Sequence, residues 1–211
     1  MSGDTLPIAQ DDDHLWLLNL QGVVAFIDGR QEAAAQHFRG ALRRSPTFSP
    51  ALLNLGILYA QNGRFDKAIG YFQRVVAVDL PRDAPQTYAA AYTEWADALA
   101  QLGRPDDADA AFRLATQTDP LYAEAYIRWA AHTADPTRAA ELKKTGEAIA
   151  KKYGDVYADN LIGKLRDAAA RSSIDGSPVL PEGAFGELGM LAEPTGGSGF
   201  WHRLYRIWSS L

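Results

Sequence analysis

The sequence predicts an all-α fold, a helical solenoid of about three to four helix-turn-helix repeats. Two observations support this prediction. A pattern of small and apolar residues recurs at a spacing of 34 residues. Within each copy, the apolar residues return at the i, i+3, i+4, i+7 spacing of one helix face. Because a single helix pair cannot bury its own apolar faces, such repeats stack on one another.

The repeats follow one another along the chain, at residues 15–48, 49–82 and 89–122. In the second copy, Leu52, Gly56 and Tyr59 lie on one face of the first helix. The glycine leaves room for the partner helix. Gly63 ends the first helix, since glycine accepts the left-handed conformation of a helix stop. Phe72 then marks the apolar face of the second helix.

The pattern weakens after the third copy. Residues 123–152 form a degenerate fourth repeat, in which Pro136 begins the second helix and Tyr153 and Gly154 end it. Residues 155–171 have apolar positions on one face only, which suits a C-terminal capping helix. The predicted solenoid therefore extends over residues 14–171.

The segments outside the solenoid differ from it in composition. Residues 1–13 are acidic and are predicted to be disordered, with Asp13 as the cap of the first helix. Residues 172–199 are rich in Gly, Pro and Ser and should form a flexible linker. Residues 200–211 are an aromatic and basic segment with the spacing of an amphipathic helix.

The repeated pattern resembles the tetratricopeptide repeat (TPR) family. That family has a large and then a small residue in the first helix, a glycine turn, and Ala and an aromatic four apart in the second helix. The residues that carry the resemblance are Leu18, Gly22, Gly29, Ala34 and Phe38, then Leu52, Gly56, Gly63, Ala68 and Phe72, then Tyr92, Ala96, Gly103, Ala108 and Phe112. The resemblance implies a protein-binding module.

Composition excludes several classes of function. The chain has no cysteine, so disulfides and thiolate metal sites are excluded. Its net charge of −5 comes from the terminal segments, and the nearly neutral solenoid has no basic stripe, so we expect no nucleic-acid partner. The four histidines lack metal-ligand spacing, and no nucleotide or nucleophile motif is present. We expect a protein that is not an enzyme and has no cofactor and no metal.

The location of the protein is predicted from its N-terminal residues. They lack the positive start of a signal peptide, and the apolar run 15–27 is too short to span a bilayer. The sequence predicts a cytoplasmic protein, and its Ala, Arg and Asp content favours a bacterial source. Membrane association through residues 200–211 stays open.

The resemblance places the partner-binding surface on the concave face, which the first helices of successive repeats line. By register, this face is apolar with two amides in its N-terminal half and acidic, with one cation, in its C-terminal half. The candidate residues are Trp16, Asn19, Val23, Phe26, Leu53, Asn54, Ile57, Glu94, Asp97, Ile127 and Arg128.

One ligand class can be excluded on this face. TPR domains that bind the acidic tails of heat-shock chaperones use Lys, Asn, Asn, Lys and Arg. The matching positions here are Asn19, Val23, Asn54, Ala90 and Glu94, so only Asn54 fits. Since Glu94 would repel a carboxylate, we expect this chain not to bind acidic chaperone tails. The face should prefer an apolar or basic-apolar segment.

Residues 200–211 require a function of their own, because a free tail gains nothing from two tryptophans. The segment could be an interfacial membrane helix, a peptide that docks in the groove of a partner, or a segment that packs on its own solenoid. The candidate docking residues are Trp201, Arg203, Leu204, Tyr205, Arg206 and Trp208.

The predicted function is a non-catalytic scaffold or adaptor. It would bind one apolar or basic-apolar protein segment in its groove and use residues 200–211 as a second docking element. Two alternatives remain: a peripheral membrane tether through residues 200–211, and a secretion-type chaperone. The sequence does not name the partner.

Overall fold

The computed structural model describes residues 8–78 and 85–153, with the side chains of the first helix from His14 onward. These residues form eight α-helices and no strand. The predictions for residues 1–7, the capping helix at 155–171, the linker at 172–199 and the aromatic segment at 200–211 concern parts of the chain outside the described residues.

The helices follow one another in four pairs joined by short turns. Their bounds are α1 (Ile8–Ile27), α2 (Gln31–Arg44), α3 (Ser49–Gln61), α4 (Phe65–Ala77), α5 (Pro85–Gln101), α6 (Pro105–Thr118), α7 (Ala123–His132) and α8 (Pro136–Tyr153). As the sequence predicted, α8 begins at Pro136; the last residue described for it is Tyr153.

The described chain divides into two compact units, residues 8–44 and 45–153. In the first unit, α1 packs against α2. In the second, the pairs α3–α4, α5–α6 and α7–α8 stack, with α4 against α5, α6 against α7, and α5 also against α3 and α7. This stacking of consecutive pairs confirms the predicted all-α solenoid architecture.

The first three pairs are joined by the same turn. The φ angles at the turn glycines are 74° at Gly29, 68° at Gly63 and 72° at Gly103. These values lie in the left-handed region, which residues other than glycine rarely adopt. The amide after the glycine donates back to the carbonyl five residues earlier, as from Arg64 to Tyr59 at 2.9 Å. This is the hydrogen bond of a Schellman motif, and it ends each first helix at the predicted place.

A phenylalanine of the second helix covers a glycine of the first in two of the pairs. Phe38 and Phe72 are fully buried. A Cβ on Gly22 would lie 2.4 Å from the ring of Phe38, and a Cβ on Gly56 would lie 2.3 Å from that of Phe72. Only glycine permits these contacts, as predicted for Gly56.

The fourth pair reverses this arrangement. Gly146 stands 34 residues after Phe112, where the aromatic would be expected. A Cβ on Gly146 would lie 2.7 Å from Ile127 Cγ1 and 3.1 Å from Tyr126 Cβ. The two helices of this pair still approach closely, but here the small residue lies on the second helix and the large residues lie on the first. This explains why the sequence pattern of the fourth repeat looks degenerate.

Two helices begin earlier than their repeats. The helix α1 begins at Ile8, so residues 8–13, predicted to be disordered, are helical, and Asp13 lies inside the helix rather than at its cap. The helix α5 likewise begins at Pro85, four residues before the predicted repeat.

Candidate functional site

The charged part of the predicted binding face lies on α5 and α7. Glu94 and Arg128 are 34 residues apart, so they hold the same position in consecutive repeats. Because α5 contacts α7, the two opposite charges meet across the interface between the two helices.

Three carboxylates hold the guanidinium of Arg128. Its Nη1 donates to Glu94 Oε1 at 2.9 Å and to Asp97 Oδ2 at 2.5 Å, and its Nε donates to Glu124 Oε1 at 2.8 Å. The side chains of Arg128, Glu94 and Glu124 are only 11%, 9% and 8% exposed, whereas Asp97 is 25% exposed. Asp97 is therefore the most exposed of these four side chains.

His132 extends the group by one turn of α7. Its Nε2 lies 3.0 Å from Asp97 Oδ1, and its ring stacks on Phe112 with the centroids 5.7 Å apart. We refer to Glu94, Asp97, Glu124, Arg128 and His132 together as the Arg128 cluster.

Burial and mutual charge shift the pKa values in the Arg128 cluster. Burial, reinforced by the charges of Asp97 and Glu124, raises the pKa of Glu94 to about 7 against the pull of Arg128. The hydrogen bond with the Asp97 carboxylate raises the pKa of His132 above 6.5. The three carboxylates raise the pKa of Arg128 over the opposing effect of burial, so the guanidinium stays charged.

The charge of the cluster follows from these groups. With Glu94 ionised and His132 neutral, three carboxylates face one guanidinium, which leaves a net charge of −2. Asp97 is the most exposed of the three carboxylates, although its Oδ1 is buried, so the excess negative charge is closest to the surface at that residue. The cluster is electrostatically complementary to one additional cation.

A half-open cavity of about 670 Å³ adjoins His132. Asp109 on its wall accepts a hydrogen bond from Trp129 Nε1 at 2.7 Å and pairs with Arg113 at 2.8 Å and Arg138 at 3.0 Å. The Arg138 guanidinium also lies 4.6 Å over the Trp129 ring. These charged groups are engaged with one another, so they fasten α6, α7 and α8 together.

The remaining candidates on the binding face have different degrees of exposure. Asn19, Val23, Leu53, Asn54 and Ile57 are buried. Trp16 and Phe26 on α1 are partly exposed, and half-buried Ile127 packs beside Gly146 of α8. Buried side chains offer a partner almost no surface in this structure. The accessible candidates are therefore Trp16, Phe26, Asp97, Ile127 and, narrowly, Arg128.

Two members of the cluster, Glu124 and His132, are not among the candidate residues from the sequence. His132 was judged by metal-ligand spacing alone. The usable signal was its place four residues after Arg128 and eight after Glu124, which puts all three on one face of α7. The candidate docking residues Trp201, Arg203, Leu204, Tyr205, Arg206 and Trp208 lie outside the described residues.

Stacked helix pairs with a recurring glycine turn and a buried aromatic define a helical-repeat protein, a class that presents surfaces to other proteins. Residues 25–84 and 89–120 match the tetratricopeptide repeat family. These two stretches of the chain therefore carry tetratricopeptide repeats, as the resemblance to that family indicated.

Solved structures share the fold at low sequence identity. A thermophilic TPR protein of Thermus thermophilus is 20% identical, with a TM-score of 0.55 over 92% of this chain and 98% of its own. A MamA protein is 18% identical, with a TM-score of 0.52 over 78% of this chain and 95% of its own. No curated protein matches the sequence.

Two further features are absent from residues 8–78 and 85–153. No helix there has both the length and the apolar character needed to cross a bilayer. No three His, Asp or Glu side chains in these ranges are arranged to hold a metal ion.

Proposed function

We propose that this chain is a non-catalytic scaffold that binds a basic-apolar segment of a partner protein on the face that the first helices α5 and α7 form in its second unit. The Arg128 cluster receives a Lys or Arg side chain of that segment. The observation that carries the proposal is the excess negative charge of the cluster, which is accessible at Asp97.

The electrostatics favour a cationic side chain over an anionic one. A carboxylate of a partner would approach Asp97 and Glu94 and be repelled, whereas an ammonium or guanidinium group would pair with Asp97. Asp97 is only partly exposed, so such a pair would be screened less than one on the open surface. This supports the exclusion of acidic chaperone tails as ligands.

An unsatisfied donor beside Asp97 supports binding of a main-chain segment. Arg128 Nη2 is buried and makes no hydrogen bond to any group among the described residues. A buried donor without an acceptor is costly. Because this nitrogen is buried, a carbonyl oxygen of a bound segment would satisfy it only if the side chains that cover it move, while the basic side chain of that segment pairs with Asp97.

The apolar part of the segment would contact accessible apolar side chains near the Arg128 cluster. In the second unit, half-buried Ile127 lies next to Arg128 in sequence and provides such a contact. Residues 200–211 act as a second docking element in this proposal, since their aromatic and basic composition suits a protein interface. The sequence alone supports that part.

A synthetic peptide of residues 200–211 with His202→Gln is a suitable basic-apolar probe. The comparison peptide carries Arg203→Gln and Arg206→Gln in addition to His202→Gln. At pH 8, measured by fluorescence anisotropy, we expect the full chain to bind the first peptide at least about five-fold more tightly than the second. In Asp97→Asn this preference should fall to about two-fold or less.

Asp66→Asn is the matched control, because Asp66 is an exposed carboxylate in the first turn of α4. It should keep the wild-type preference for the arginine peptide. If Asp97→Asn lowers the affinity for both peptides equally, or for neither peptide, Asp97 does not receive the basic side chain and the proposal is wrong.

A further inference from the structure

We propose that the Arg128 cluster is a proton-dependent clamp, which holds the basic side chain of a partner at slightly alkaline pH and releases it when Glu94 and His132 take up protons. This inference rests on the proposed function and adds a mode of regulation to it.

The geometry places a competing cation beside the accessible carboxylate. His132 Nε2 lies 3.0 Å from Asp97 Oδ1, and Arg128 Nη1 lies 2.5 Å from Asp97 Oδ2. When His132 is protonated, both oxygens of Asp97 face a cation of the chain itself. A basic side chain of a partner must then displace the imidazolium in order to pair with Asp97.

Glu94 contributes the second proton. It is buried behind Asp97 and shares Arg128 Nη1 with it. Burial raises the pKa of Glu94 to about 7, and the hydrogen bond with Asp97 raises that of His132 above 6.5. Glu94 therefore takes up its proton as the pH falls through about 7, and His132 takes up its proton at a higher pH than a free imidazole does. When both protons are bound, the net charge of the cluster has changed from −2 to zero.

The charged groups around Glu94 and His132, among the described residues, lie on α5 to α8 and at the start of α7. Glu94 faces Arg128, Asp97 and Glu124, and His132 faces Asp97 and Arg128. Tyr122 acts on Arg128 from the start of α7. From α6 and α8, Asp109 and Arg138 line the same cavity as His132, but they pair with each other at 3.0 Å.

The experiment measures affinity for the His202→Gln peptide, acetylated at its amino end so that the probe has no group that titrates between pH 6 and 8. The full chain should lose about ten-fold in affinity from pH 8 to pH 6. In Glu94→Gln and in His132→Gln the loss should shrink to about three-fold each. Glu141→Gln, an exposed carboxylate of α8, should behave as the wild type.

A second readout needs no peptide. The raised pKa of Glu94 means that its protonation stabilises the folded chain below about pH 4.5, and that this stabilisation is lost as the pH rises through about 7. The thermal midpoint of the wild type should therefore rise relative to that of Glu94→Gln when the pH is lowered from 8 to 6. The Glu141→Gln variant should show no such divergence.

The outcomes separate the two proposals. Equal pH dependence of peptide affinity in the wild type, Glu94→Gln and His132→Gln overturns the clamp and leaves the scaffold proposal intact. Failure of the peptide to bind at pH 8 overturns both. Binding that weakens on acidification in the wild type and much less in the two variants supports the clamp.

Discussion

At the scale of single residues, Gly56 and Gly70 are the same residue type but have different roles in packing. Both are helical glycines in the second repeat. A Cβ on Gly56 would lie 2.3 Å from the ring of Phe72, whereas one on Gly70 would meet nothing within 4 Å. The first glycine is required by packing, and the second only weakens its helix.

We therefore predict opposite effects of the same substitution at these two positions. Gly56→Ala should lower the free energy of unfolding by about 1–3 kcal/mol, because the buried Phe72 ring must shift. Gly70→Ala should raise it by up to about 1 kcal/mol through helix propensity. Urea denaturation at pH 7 measures both values. A stabilising Gly56→Ala would show that the two helices separate at little cost.

The electrostatics of single residues were only partly readable from the sequence. The register placed Glu94, Asp97 and Arg128 on one face, and the structure brings these three together. The pairing of His132 with Asp97 depends on how α7 lies against α5. A spacing rule applied within one helix could not reveal it.

At the scale of elements, the junction of α6, α7 and α8 depends on polar contacts of one tryptophan. Trp129 Nε1 donates to Asp109, its ring stacks on Phe112 at 6.4 Å, and Arg138 lies over the ring as well. The helix α8 has Gly146 where the other second helices have a phenylalanine, and Trp129 and Arg138 add polar contacts to the close packing of Gly146 against Ile127.

Trp95 provides a matched comparison, because its Nε1 is buried and makes no hydrogen bond among the described residues. Both Trp→Phe changes remove similar volume, but only Trp129→Phe removes a hydrogen bond to a carboxylate. We expect Trp129→Phe to destabilise the chain by about 1–2 kcal/mol more than Trp95→Phe. Chemical denaturation of both variants decides this. Equal losses would mean that the bond to Asp109 contributes no net stability.

Much at this scale followed from the repeat pattern. The glycine turns and the buried aromatics of the first three repeats lie where the period placed them, and α8 begins at the proline that predicted its start. Local signals missed the early start of α1, because a run of aspartates reads equally well as a loop or as the beginning of a helix.

At the scale of the whole molecule, the part played by residues 200–211 is a question about partners. If they form a protein-docking element, as proposed, they should not bind a bilayer. We expect neither the full chain nor a chain ending at Ser198 to float with anionic vesicles in a density gradient.

Flotation of the full chain alone would contradict this expectation and favour a peripheral membrane tether. A variant with Trp201→Ala and Trp208→Ala is then the control that tests whether the interfacial tryptophans are responsible. Flotation of all three chains would instead locate the lipid contact in another part of the molecule.

The sequence by itself determined the class of this protein. The first three copies share a period of 34 residues, a glycine at each turn and an aromatic in the second helix. Because these constraints are local, they can be recognised in the sequence without coordinates. The same register also indicated that the face of α5 and α7 would be acidic with one cation.

Only the tertiary structure decided which of those residues are accessible and what each charge contacts. Burial of Leu53, Asn54 and Ile57, and the reversed packing of Gly146 against Ile127, depend on how neighbouring helices lie together. The shift of the Glu94 pKa to about 7 has the same origin, because desolvation and charge proximity act through space rather than along the chain.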